Sequence, residues 1–181
     1  MQQASSRDPE DQLREIYTCF GISAQYAQNL ETWVIAVLKL AARARNFDIA
    51  NEELAELDEQ LSTRTLGRLL RELRSQVTVD GPMEADLAKA LAIRNLLIHR
   101  WFHLNASNLM SERGRLVCLT ELRAMADHLS DAVGALRLLV EEYFRRIGWS
   151  AEDVDRGLAF VLRSELPEGP DFDASGRHSG S

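Results

Sequence analysis

Apolar residues along this chain recur at helical spacing, and no stretch alternates apolar and polar positions with the β-branched enrichment of a strand. Asp8-Pro9 reads as an N-cap followed by proline at the first helical position, and Gly21 as that helix's stop. Ser23 starts a second helix to about Asn46, with Trp33, Val34, Val37, Leu38 and Ala41 along one stripe. A third element over Asn51–Gln76 is predicted to break around Ser62-Thr63, its second half carrying Leu66, Leu69, Leu70, Leu73 and Val77 on one face. The turn 79-VDGP-82 comes next, and Pro82 opens a helix over 83–104. After Asn105 comes a polar connection; Ser111–Ile147 then reads as one long helix, with Gly134 as a candidate kink and Gly148 as its stop. The sequence 150-SAED-153 has the form of a capping box opening a short last helix. The expected fold is therefore all-α, an up-and-down helical bundle with extra short helices over 8–165. A flexible N-terminus is expected at 1–7. From 166 to 181 Gly, Ser, Asp and Pro take over, the composition of a disordered tail.

Bulk properties narrow the function classes. A chain of 181 residues is long enough for one domain with a real core. The longest apolar run, 33-WVIAVLKLAA-42, contains a lysine and falls short of the roughly 20 residues that span a bilayer. The first residues lack the apolar centre of a signal peptide, so a cytoplasmic protein without membrane partners is expected. Cys19 and Cys118 fit no metal or disulfide spacing, and nothing implies a cofactor. A net charge of −7 argues against a polycation wrapped around nucleic acid. Arginine nevertheless supplies 19 of the 21 basic residues, a bias compatible with bidentate phosphate recognition and equally with a GC-rich coding sequence.

The helix over 83–104 breaks the plain amphipathic pattern. At about 100° per residue, Leu87, Ala90, Leu91, Leu97, Ile98 and Trp101 all fall within roughly 60° of Arg94. Arg94 thus stands in the middle of the apolar arc, where a guanidinium needs an anionic partner, a hydrated cleft, or both. Asn95, His99 and His103, spaced by four, form a second stripe along the flank, which Arg94 is long enough to approach.

The segment 94-RNLLIH-99 resembles the motif of HEPN domains, an arginine followed four to six residues later by histidine, often with asparagine directly after the arginine. The β-free, single-domain setting is similar too. The resemblance implies a metal-independent endoribonuclease acting as a homodimer, with two motif helices facing each other across a composite cleft. Arg94 and His99 would be catalytic. A histidine side chain, with an ordinary pKa of about 6.5, can act as base or acid near neutral pH. Arg94 would bind the scissile phosphate; Asn95, Arg100 and His103 would be auxiliary or substrate-binding residues. The family setting implies a toxin or defence effector, with an antitoxin or regulatory protein as a possible further partner. Trp101 stands where toxins paired with nucleotidyltransferase antitoxins usually carry a modifiable tyrosine, which puts that route of neutralisation in doubt.

Plainer readings accompany each residue. Arg94 is accommodated equally by an ion pair with an acid on another helix. His103 with His99 forms an HxxxH spacing, but a metal needs a third ligand, which only His128 or a carboxylate would supply, so no metal is expected. Trp101 and Phe102 read as packing residues and His128 as an ordinary helix residue. Arg64, Arg68 and Arg71 form a stripe opposite their leucines, either an RNA-backbone track or a solvated face. Arg145-Arg146 complements a helix C-terminus. The functional alternative is a non-catalytic helical module that binds a nucleotide, RNA or a protein.

Overall fold

The computed structural model describes residues 8–45, 51–76 and 80–163. The expected N-terminal segment 1–7 and the tail 166–181 lie outside them, as do Asn46, Val77 and Val79. Seven helices make up the described fold: α1 (Pro9–Arg45), α2 (Asn51–Ser62), α3 (Leu66–Gln76), α4 (Gly81–His99), α5 (Trp101–Leu109), α6 (Glu112–Arg146) and α7 (Ala151–Arg163). No strand occurs among the described residues, and the architecture is an all-α bundle.

Two long helices form its spine. Gln12 meets Arg115 and Ser23 meets Leu122, so α1 and α6 run side by side in the same direction. Leu30, Val34, Leu38, Leu122, Leu129, Leu136 and Phe144 are buried in the common core. Against this spine α4 runs antiparallel: Arg94 lies beside Glu31, while Phe102, just beyond α4, lies beside Tyr17 and Phe20. The break expected at Ser62-Thr63 is present between α2 and α3. Buried Lys39 of α1 pairs with Asp58 at 2.9 Å and pins α2 to the spine.

The sequence-based expectation divided α1 in two, and the structure corrects it. Gly21 does not stop a helix, nor does Ser23 cap one. Ser23 is buried, and its hydroxyl is within hydrogen-bond distance of the Cys19 and Leu122 carbonyls, 2.8 and 3.0 Å away. Packing against α6 thus overrides a glycine whose helical penalty is only about 1 kcal/mol.

A second correction falls on the helix expected over 83–104. Its start is as expected: Asp80 is extended and its carboxylate accepts the Met83 N–H at 2.9 Å, with Pro82 in the first turn. Its end is not. Arg100 leaves helical geometry at φ −139°, ψ −16°, and divides α4 from α5. Helix then continues to Leu109, through the stretch expected to be a polar connection after Asn105.

The α5–α6 junction is tight. Ser111 caps α6 by accepting the Gly114 N–H at 3.1 Å. A Cβ on Gly114 would sit 2.6 Å from the Asn108 Cα and collide with its carbonyl, so the close approach requires glycine. Buried Arg115 donates to the Leu109 carbonyl at 3.1 Å and to Gln12 at 2.6 Å, closing the end of α5 and tying it to α1. Helix α6 continues through Gly134 and ends before Gly148, whose φ of 93° is the left-handed stop the sequence suggested. Ser150 and Asp153 exchange hydrogen bonds as a capping box for α7. Among the described residues no helix is long and apolar enough to cross a membrane.

Candidate functional site

Arg94 lies on the buried side of α4, level with Leu87, Ala90 and Leu97, as the wheel predicted. Its side chain stays a quarter exposed at 24%, and so does its partner Glu31 at 25%. One guanidinium nitrogen, Nη2, donates to Glu31 Oε2 at 3.3 Å; the other, Nη1, donates to the Asn95 amide oxygen at 3.3 Å. The arginine therefore obtains both an acid from another helix and contact with solvent. Sequence reasoning asked for an anionic partner, a hydrated cleft, or both, without identifying the acid. Its one signal is position: Glu31 follows buried Leu30 and precedes buried Val34, a carboxylate bordering the core stripe of α1.

His99 is the last residue of α4 and exposed, its imidazole without a hydrogen bond or ion pair to a described residue. It stands about 140° around the helix from Arg94 and roughly 7.5 Å along it. Arg94 does not reach over toward it; the guanidinium turns to Glu31 instead. Asn95 is the link, bonded to Arg94 and one turn before His99. Arg100, at the break, is exposed, and so is His103 on α5. Because the chain leaves helical geometry at Arg100, His103 no longer continues the Asn95–His99 stripe as the unbroken wheel required. Ile98, expected within the apolar arc, is exposed instead, as are Phe102 and Tyr17, whose rings lie 5.9 Å apart and give this end of the molecule apolar surface.

Beneath that surface lies a polar network that sequence reasoning missed. Trp101 is fully buried, as expected of a packing residue, and its indole N–H donates to Glu121 Oε2 of α6 at 3.1 Å. Asn105, also buried, donates to the same oxygen at 3.2 Å and to the Trp101 carbonyl at 3.2 Å. Its own amide oxygen accepts from Asn108 at 2.9 Å and from the Cys118 thiol at 3.6 Å. Burial, reinforced by the Glu121 charge, pushes the Cys118 thiol up and keeps it protonated. Phe20 and Phe102 pack ring to ring at 4.6 Å beside Trp101. The start of α5 is thus held from both sides, and with it the end of α4 that carries His99.

The basic stripe is divided. Arg64 pairs with Glu72, whereas Arg68 and Arg71 are exposed without a described partner. Arg74–Glu84 at 2.8 Å and the approach of Gly67 to Leu91 set α3 antiparallel to α4. Carried further, that register brings the turn holding Arg64 to the level of Arg94. His128 lies against the Asp86 carbonyl at 3.3 Å. Among the described residues no three His, Cys, Asp or Glu side chains gather in a way that would hold a metal.

Comparison of the chain with family models, curated proteins and solved structures finds no match.

Proposed function

We propose that the protein is a HEPN-like, metal-independent endoribonuclease that works as a homodimer, in the cytoplasm, as a toxin or defence effector. The observation that carries the reading is the contrast on α4. An anchored guanidinium and an unengaged imidazole share one helix but point about 140° apart. A single chain holds the two groups apart, so a shared phosphate calls for a second copy packed on the apolar surface around Ile98 and Phe102. In the reaction one His99 imidazole takes the proton from the RNA 2′-hydroxyl, and the new bond forms between that oxygen and the adjacent phosphorus. The bond from phosphorus to the 5′-oxygen breaks, and the protonated His99 of the second copy returns a proton to the leaving oxygen. Arg94 neutralises charge growing on the non-bridging oxygens. The products are a 2′,3′-cyclic phosphate and a 5′-hydroxyl. Asn95, Arg100 and His103 border this path, and Arg68 and Arg71 offer free cations to flanking phosphates.

One observation favours a second reading, a non-catalytic module binding a nucleotide, RNA or a protein: Arg94 is already engaged by Glu31 as a structural ion pair. The purified protein incubated with RNA in EDTA separates the two. The nuclease reading expects cyclic-phosphate ends, and a loss of about 100-fold or more in both Arg94→Ala and His99→Ala. Both variants should fold, since a part-exposed ion pair contributes no more than about 1 kcal/mol and His99 is exposed. Intact RNA with the unmodified protein, at concentrations where it is dimeric, would leave only the interaction module.

A further inference from the structure

An arginine grips a phosphate by presenting two parallel N–H groups to two oxygens. In this structure both terminal nitrogens of Arg94 already face an acceptor: Nη2 the Glu31 carboxylate, Nη1 the Asn95 amide oxygen. The Glu31 carboxylate thus takes an Nη2 N–H that an incoming oxyanion would otherwise use. Resting on the proposed role of Arg94 as the phosphate-binding group, we infer that Glu31 is a gate on its site. The carboxylate is a built-in stand-in for phosphate that an RNA phosphodiester must displace in order to bind.

The geometry suits a releasable contact and not a permanent clamp. The separation is 3.3 Å, longer than the roughly 2.7–2.9 Å of a tight charge-assisted bond. Both side chains are a quarter exposed, so either can rotate toward water without leaving a charge stranded in the core. The two partners come from different helices, α1 and α4. Asn95 plays the complementary part: its neutral amide oxygen orients the guanidinium without adding a second negative charge. The outcome is an anion site that discriminates by competition. Stray anions do not displace the internal carboxylate, whereas a strand making several phosphate contacts at once does.

Binding of a short RNA strand with methylated 2′-hydroxyls, which cannot be cut, tests the gate by fluorescence anisotropy across a salt series. Glu31→Gln keeps the shape and removes the charge; it should tighten binding about threefold to tenfold and steepen the salt dependence, because one more cation is free to release counterions. Adding Arg94→Ala should abolish that gain. Asn95→Asp, on an exposed position where folding is not at issue, should weaken binding by setting a second carboxylate on the same guanidinium. Unchanged or weaker binding in Glu31→Gln, or no loss in Asn95→Asp, overturns the gate. The nuclease reading has its own readout, cleavage of unmodified RNA, so either idea can fail while the other stands.

Discussion

Arg94 occupies a position its neighbours would give to leucine, and Glu31 makes that tenable. Gly114 is the reverse case, a position where the smallest side chain is demanded by backbone. Substitution with alanine drives a methyl into the Asn108 peptide, which is held by the Asn105 network and cannot swing aside like a side-chain end. Gly114→Ala should therefore cost about 1–3 kcal/mol, despite alanine's better helix propensity. Gly134→Ala, in open space on the same helix, should instead gain a few tenths to about 1 kcal/mol. Urea midpoints of the two variants read this directly, and equal shifts in both would refute the steric account.

Among the elements, α7 is held at its start by a reciprocal cap. The Ser150 hydroxyl and backbone N–H, with the side chain the stronger influence, keep the Asp153 carboxyl below the ordinary carboxylate range. A group whose pKa is lowered by folding adds stability above its unfolded value and loses it as pH falls through the folded one. The start of α7 should thus loosen in acid: amide exchange at Asp153 and Val154 should rise below the ordinary carboxylate pKa while the core of α6 stays protected. Ser150→Ala should reproduce that loosening at neutral pH. Loss of protection in α6 at the same pH would show that the cap is not what titrates.

The caps, turns and apolar stripes were legible in the sequence because their physics is local. Asp80-Gly81-Pro82, Gly148 and 150-SAED-153 each do what a short-range rule predicts. Gly21 and Ser23 misled because the same residues serve inside a helix once a neighbour accepts the serine hydroxyl. The break at Arg100 carries neither proline nor glycine to announce it. Its neighbours Trp101 and Asn105 are held by Glu121, and Phe102 by Phe20, partners 20, 16 and 82 residues distant in the chain. The placement of Arg94 on the buried side of α4 was legible; the acid that engages it was not.

For the molecule as a whole, the contrast is between an overall charge of −7 and a motif helix with one arginine, Arg100, exposed at its end. Many arginines are neutralised in ion pairs, among them Arg64, Arg74, Arg123 and Arg137, while Arg68, Arg71 and Arg100 have no described acid partner. Exposed Tyr17 and Phe102 lie ring to ring, with exposed Ile98 one turn before Phe102 in the chain, apolar area of the kind a second copy would cover. With a site shared between two copies, specific activity should hold steady at high protein concentration and fall on dilution as the dimer dissociates. Sedimentation over the same range supplies the comparison. Undiminished specific activity in a species that sediments as a monomer would end the shared-site account.

The Glu121 anchor also sets an order of events during synthesis. A ribosome that has made the chain only as far as Leu109 has already delivered Arg94 and His99, along with the Glu31 that restrains the arginine. It has not delivered the α6 carboxylate that holds Trp101 and Asn105. On the proposed reading, the emerging chain carries the carboxylate that engages Arg94 before it gains the one that fixes the start of α5, an order that would suit a nuclease made among the RNAs of its own translation.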